Sequence, residues 1–176
     1  SFAPGRRVLD LYCYTGSFGL HAARGGAREV IAVDSSRRAL DAARRNAELN
    51  QLDLRVTEAD AFRYLDQLPA EGFDLVVADP PKFARSRQEL DAALKGYVKL
   101  NRGCIRVLRD GGILCTACCS QLVSQEDFVR AVAMAAVQQE RRLRILNITG
   151  AGPDHPIAGG LSDGDYLKFV TCEIAR

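Results

Sequence analysis

Short apolar runs alternate with longer amphipathic stretches along most of the chain. Val8-Leu9-Asp10-Leu11, Val30-Ile31-Ala32-Val33, Leu75-Val76-Val77-Ala78 and Ile113 to Cys118 have the length and β-branched content of buried strands. The pattern predicts strands over 7–12, 29–34, 54–59, 73–79 and 112–119, with helices near 17–25, 36–50, 61–68, 88–109 and 124–139. Two further runs, Leu143 to Ile148 and Tyr166 to Ile174, are separated only by the Gly/Pro/Asp-rich segment 150–165. They read as an antiparallel pair. Five βα units followed by a hairpin predict an α/β protein of Rossmann-like type, with a seven-stranded, mostly parallel sheet. Neither a repeat nor a linker interrupts 1–176, so one domain is expected.

In an open α/β sheet ligands bind beyond the carboxyl ends of the strands, so the residues there carry the chemistry. The first strand runs into Cys13-Tyr14-Thr15-Gly16-Ser17-Phe18-Gly19, a tight turn where Gly16 would let backbone approach a ligand. Asp34 ends the second strand 18 residues after Gly16, where a carboxylate accepts hydrogen bonds from ribose hydroxyls. Asp60 ends the third strand, where it would bind an adenine amino group. Each acid has a plainer reading, because Asp34 and Asp60 both precede helices they could cap. A dinucleotide wants a glycine-rich phosphate cradle at a helix amino terminus, and Asp10, Tyr12 and Tyr14 serve that poorly. They suit the amino-acid part of S-adenosylmethionine better. Asp10 would face the ammonium group and the backbone of Tyr14, Thr15 and Gly16 the carboxylate. Ser35, Ala61 and Asp79 complete the expected cofactor site.

Two more strand ends bear reactive side chains: the fourth leads into Asp79-Pro80-Pro81-Lys82-Phe83 and the fifth into Cys119-Ser120. A thiol and a carboxylate would then share one crevice. Cys119 also has the reading of a small buried residue, the common state of a free cysteine, and the same holds for Cys13, Cys104 and Cys172. Cys115 and Cys118 have redox or zinc spacing, yet strand alternation points them to opposite faces, and there is no second pair to complete a tetrahedral site. No metal is expected.

The 176-residue chain carries a net charge of only +2. From Lys82 to Arg109, however, eight basic residues face only Glu89 and Asp91, a local excess of +6. Lys95, Lys99, Arg102, Arg106 and Arg109 recur at helical spacing, as either a nucleic-acid contact or a solvated face. The cysteines lack a secreted spacing and no run approaches the ~20 residues of a membrane span, so a soluble protein in a reducing, cytoplasmic setting is expected. Ser1 rather than Met opens the chain, and upstream residues are expected to be missing.

Taken together, Asp10-Leu11-Tyr12-Cys13-Tyr14-Thr15-Gly16, Val33-Asp34, Asp79-Pro80-Pro81-Lys82-Phe83, Cys119-Ser120, Asp154-His155-Pro156 and Asp165-Tyr166-Leu167-Lys168 resemble the bacterial large-subunit ribosomal RNA cytosine-C5 methyltransferases of the methyltransferase I type. The resemblance covers nearly the whole sequence. It implies a class I methyltransferase fold, S-adenosylmethionine as cofactor and ribosomal RNA as partner. It implies Cys119 as the nucleophile toward cytosine C6 and Asp79 as the hydrogen-bonding partner of the base's N3 and amino edge. Pro80 and Pro81 would hold that loop rigid, Phe83 would stack on the base, and Lys82 or Arg85 would supply positive potential. His155 is a candidate base for the C5 proton, or else a loop-ordering residue. Two departures stand out. The family's amino-terminal RNA-binding domain is absent, and Cys118-Cys119-Ser120-Gln121 stands where Ser-Cys-Ser-Gly is expected, making the choice of thiol depend on register. Alternatives remain: a guanine-modifying or small-molecule methyltransferase without a covalent step, or an inactive cofactor- and RNA-binding module. A homodimer is left open.

Overall fold

The computed structural model describes residues 2–152 and 166–176. The strands are β1 (Arg7–Leu11), β2 (Glu29–Asp34), β3 (Arg55–Glu58), β4 (Phe73–Ala78), β5 (Leu108–Cys118), β6 (Arg142–Thr149) and β7 (Lys168–Ala175). The helices are α1 (Ser17–Arg24), α2 (Arg37–Asn50), α3 (Ala61–Gln67), α4 (Leu90–Val107) and α5 (Gln125–Val137). Side-chain oxygens start three of these helices, each accepting a backbone N–H of the first turn: Ser36 from Ala39, Asp60 from Arg63 and Ser124 from Asp127.

The seven strands form one sheet in the order β3-β2-β1-β4-β5-β7-β6. β1 to β5 are parallel, and β7 is antiparallel to both of its neighbours. This is the Rossmann-like, mostly parallel sheet that the alternation predicts. The chain builds outward from β1 through β2 to β3, then returns to place β4 on the other side of β1. The carboxyl ends of β1 and β4 therefore flank a topological switch point, where connections diverge and leave a crevice.

Strand alternation sorts the core. Leu9, Leu11, Val76, Ala78, Leu114 and Cys118 pack with α3, α4 and α5, through Leu65, Tyr97 and Phe128 among others. The opposite side chains, Val8, Val30, Leu75, Val77, Ile113 and Cys115, pack with Ala22 of α1. Asp10 shares the face of Val8, and so meets α1.

Two details differ from the sequence reading. α4 ends at Val107 and β5 begins at Leu108, so the 109–112 segment belongs to the strand, with a register shift against β4 between Phe73 and Leu75. Glycine makes the irregularity possible: Gly111 has φ +70°, and a Cβ on Gly112 would lie 2.8 Å from the Arg109 carbonyl. Arg109 consequently leaves the helical stripe and pairs with Asp74, a buried carboxylate that also accepts the Arg7 N–H at 2.7 Å and faces Arg28 at 3.5 Å. Arg106 is also taken from the stripe, donating to the Leu65 and Leu68 carbonyls. β6 and β7 form the antiparallel pair that the sequence reading expects. Within the sheet β7 lies between β5 and β6, which sets Lys168 opposite Cys118.

Candidate active site

Starting from β1, the turn that follows it is held in an uncommon conformation. Tyr12 and Tyr14 have φ of 60° and 49°, and Gly16 has 88°. Non-glycine residues in the left-handed region carry strain that surrounding contacts must offset. Asp34 supplies two of those contacts, accepting the N–H of Tyr14 at 3.0 Å and of Ser36 at 2.8 Å. The Cys13 N–H donates to the Val33 carbonyl at 3.1 Å, and Asn46 donates to the Thr15 carbonyl at 3.0 Å. Gly16 has a further role that the sequence reading missed: a Cβ there would lie 3.2 Å from both Ala43 and Leu54, so this glycine lets the turn pack closely on α2 and on the segment before β3.

Asp10 is buried. Its Oδ2 accepts the Gly19 N–H at 2.8 Å, while its Oδ1 has no hydrogen-bond partner among the described residues. Burial pushes its carboxyl up to about 7, against the lowering effect of the Gly19 N–H and with smaller raising contributions from Asp79 and Asp34. A buried carboxylate oxygen left unpaired is costly, and a cationic partner such as an ammonium group would satisfy it. The donor and acceptor pattern thus fits the amino-acid part of S-adenosylmethionine. Asp60 caps α3, accepting the Arg63 N–H at 3.0 Å through Oδ1, as its plainer reading had it. Ser35 is exposed beside Asp34, and Ala61 is buried at the start of α3.

Across the switch point, Asp79 follows β4 and its N–H donates to the Leu11 carbonyl at 3.4 Å. Asp79 has an exposed edge, yet enough protein surrounds its carboxyl for desolvation to raise its pKa. Cys119 follows β5 and is partly exposed, and its thiol points toward the Pro80 carbonyl at 3.7 Å. Burial is the main reason its pKa lies above the ordinary thiol value, with the Asp79 charge adding to it and the Lys82 charge opposing it. Cys118 is fully buried on the other face, near the Tyr97 hydroxyl but without a well-formed hydrogen bond to it. Burial also pushes Cys13, Cys104 and Cys172 up to about 12, the state of inert core thiols. Among the cysteines, Cys119 alone has access to the crevice side.

Lys168, quoted within a motif but given no role from sequence, proves to be part of this site's frame. It is buried on β7, and its Nζ donates to the Ser120 carbonyl at 2.6 Å and the Tyr166 carbonyl at 3.1 Å. The Ser120 hydroxyl donates to the Ala84 carbonyl at 3.3 Å, tying the end of β5 to the loop after β4. A lysine at the head of a largely buried strand was the available signal. The Phe83 ring stacks on Tyr97 at 4.6 Å and lines a cleft between α3 and α4, together with Lys82 and Arg85, whose lining includes neither Asp79 nor Cys119. Pro80 is buried and Pro81 exposed. His155 lies outside the described residues. Among the described residues no His/Cys/Asp/Glu group could hold a metal, and no helix is long and apolar enough to cross a membrane.

The strained turn after β1, with one buried carboxylate oxygen unpartnered, thus lies across the switch point from a carboxylate and a partly exposed thiol. The methyltransferase domain model matches residues 3–150. The chain belongs to the methyltransferase domain family. This methyltransferase domain is similar to ribosomal RNA large subunit methyltransferase I of Aeromonas hydrophila subsp. hydrophila, at 44% identity over 95% of the chain and 43% of the relative. It is 41% identical to the protein of the same name from Photobacterium profundum, over 98% of the chain and 45% of the relative. The chain thus spans less than half the length of these curated relatives. Among solved structures, SMU.776 complexed with SAH superposes with a TM-score of 0.82 at 26% identity, covering 97% of this chain and 46% of that one. TrmN from Thermus thermophilus, at 24% identity and a TM-score of 0.70 over 97% of this chain and 44% of its own, shares the fold.

Proposed function

We propose that this methyltransferase domain uses S-adenosylmethionine to methylate C5 of a cytosine in large-subunit ribosomal RNA, with Cys119 as the nucleophile. The observation that carries the reading is the partly exposed Cys119 thiol at the end of β5, against the Pro80 carbonyl and within electrostatic reach of Asp79 at the end of β4. The names of the Aeromonas and Photobacterium relatives support ribosomal RNA as the substrate, and the SAH in SMU.776 supports the cofactor.

Cytosine C5 is a poor nucleophile, and a thiolate adding at C6 makes it enamine-like, dividing one difficult step into easier ones. The Sγ–C6 bond forms and electron density moves to C5. S-adenosylmethionine supplies the methyl group as a sulfonium electrophile. A base then takes the C5 proton and the Sγ–C6 bond breaks, restoring the ring and the thiolate. His155 is the candidate for that base.

Asp79 serves two purposes in this scheme. Desolvation raises its pKa, so it takes up a proton more readily than a free carboxyl and can pass it to N3 as negative charge builds there. Before substrate binds, its charge holds the Cys119 proton in place. Pairing Asp79 with the base removes that repulsion and leaves Lys82 as the dominant charge near the thiol, so the thiolate forms when the base is seated.

The test is mass spectrometry of the protein after incubation with S-adenosylmethionine and 5-fluorocytosine-substituted large-subunit ribosomal RNA. Fluorine at C5 cannot leave as the proton does, so the adduct persists. An adduct in wild type and Cys118→Ala, absent in Cys119→Ala, is expected. Methylation of unsubstituted RNA by wild type, with no adduct on the fluorinated RNA, would overturn the covalent route.

A further inference from the structure

We propose that the cleft between α3 and α4 holds the nucleotide adjacent to the methylated cytosine, with its base against Phe62 and its phosphate on Lys82 and Arg85. The proposal rests on the RNA reading above and assigns a second subsite to it. The cleft has a volume of about 540 Å³ and is lined by Phe62, Lys82, Phe83, Arg85, Glu89 and Gly96, among others. Two of its lining residues, Lys82 and Phe83, stand on the loop that leaves β4 through Asp79. Three residues span no more than about 11 Å, so Lys82 lies within the reach of a neighbouring nucleotide from a base on Asp79.

The aromatic part is firmly built. Phe83 is stacked on Tyr97 at 4.6 Å, and a Cβ on Gly96 would sit 3.1 Å from the Phe83 ring. Glycine inside a helix costs about 1 kcal/mol relative to alanine, and here it admits an aromatic floor. Phe62 lies 6.3 Å from Phe83 and is the wall between the cleft and a smaller hollow on its other side. Lys99 lines that hollow, with Nζ 5.2 Å from the Phe62 ring centroid, so its charge reinforces the site without filling the cleft.

The charges fit an anionic ligand. Among the described residues neither Lys82 nor Arg85 has an ion-pair partner. The carboxylate lining the cleft, Glu89, accepts the N–H groups of Arg85 at 2.7 Å and Ser86 at 3.2 Å. That capping contact fixes the backbone from which Arg85 projects. Stacking rings with unpaired cations beside them are the chemistry of single-stranded nucleic-acid binding. The apolar groove between α4 and α5 offers no such link, because its lining draws no residue from the loop that carries Asp79.

The test uses short single-stranded RNAs carrying one 5-fluorocytosine with 2-aminopurine on its 5′ or 3′ side, with the protein and S-adenosylmethionine. Stacking quenches 2-aminopurine fluorescence. Quenching is expected at one of the two positions in wild type and Phe62→Tyr. In Phe62→Leu it should be lost and the KM for RNA raised about ten-fold, while the adduct still forms at saturating RNA. Arg85→Met, at an exposed position, should reduce the slope of log affinity against log salt by about one and provides the test should Phe62→Leu not fold. Equal quenching in wild type and Phe62→Leu at both positions, or no binding of either RNA, overturns the subsite. Phe62-dependent quenching without an adduct would leave the subsite standing and overturn the Cys119 chemistry instead.

Discussion

The two halves of the crevice are built on opposite principles. On the β1–β2–β3 side three acids are engaged in ordering backbone: Asp10 holds Gly19, Asp34 holds Tyr14 and Ser36, and Asp60 holds Arg63. On the β4–β5 side, the Asp79 carboxyl accepts no hydrogen bond from a described residue, and Cys119 makes one long contact to a carbonyl. The first half is a preformed cradle whose contacts are satisfied before a ligand arrives, except at Asp10 Oδ1. The second keeps its reactive atoms uncommitted, and its order comes from behind, through Lys168 and Ser120. Preorganisation is useful for a constant cofactor, whereas reacting groups must spend their interactions on the substrate.

The contrast breaks most visibly at Cys119. Cys119→Ala should cut methyl transfer by at least about 10³-fold, because removal of a nucleophile abolishes the covalent route. Its melting temperature and cofactor affinity should stay near wild type. Since the free thiol's pKa is raised, kcat/KM should climb with pH above 7, and Lys82→Met should move that rise to higher pH. A flat profile would mean the thiolate is not the reactive form.

Asp10 gives the next effect, with opposite signs on two readouts. Asp10→Asn should weaken S-adenosylmethionine binding about 10–100-fold in calorimetry, the scale of a lost charged hydrogen bond. The ligand-free protein should gain stability at pH 8. The sign follows from linkage: the carboxyl rises from 3.8 unfolded to about 7 folded, so the folded state holds this proton more tightly. Stability therefore falls as pH rises from about 4 to 7, by up to about 4 kcal/mol for a shift of this size. Asp10→Asn should remove that slope from a series of denaturant melts.

Lys168 tests whether the second half is ordered from behind. Lys168→Met leaves the buried Ser120 carbonyl without its donor, at a cost of about 1–3 kcal/mol. The turnover number should drop about ten-fold with cofactor affinity unchanged, and cofactor affinity falling in parallel would instead couple the two halves. The smallest effect is expected outside both. Replacing Lys95, Lys99 and Arg102 by alanine should raise the KM for RNA two- to three-fold, roughly what loss of a few exposed charges produces. An unchanged salt slope would return these residues to ordinary surface.

Much of the parallel sheet was legible because its strands are buried on both faces and read as continuous apolar runs, as Val30 to Val33 and Leu75 to Ala78 do. The strand-end acids were legible too, since topology obliges those positions to meet at the crevice. The packing of Gly16 on Ala43 and Leu54 was not legible, because a tight turn and a close helix contact ask for the same residue. Arg109 was placed on the α4 face because its spacing continues the helical period, and only the bulge at Gly111 and Gly112 and the demand of buried Asp74 moved it into β5.

The chain's apolar periodicity and turn residues thus determined which segments are strands and that carboxylates and a thiol end them. Those are local properties, carried by steric preference and side-chain hydrophobicity. Tertiary structure decided which of two adjacent cysteines is accessible, where the Phe83 ring goes, and that a lysine far along the chain clamps the strand end beside Cys119. Each of these depends on register and on the insertion of β7 between β5 and β6, and a one-residue slip along β5 would exchange the faces of Cys118 and Cys119.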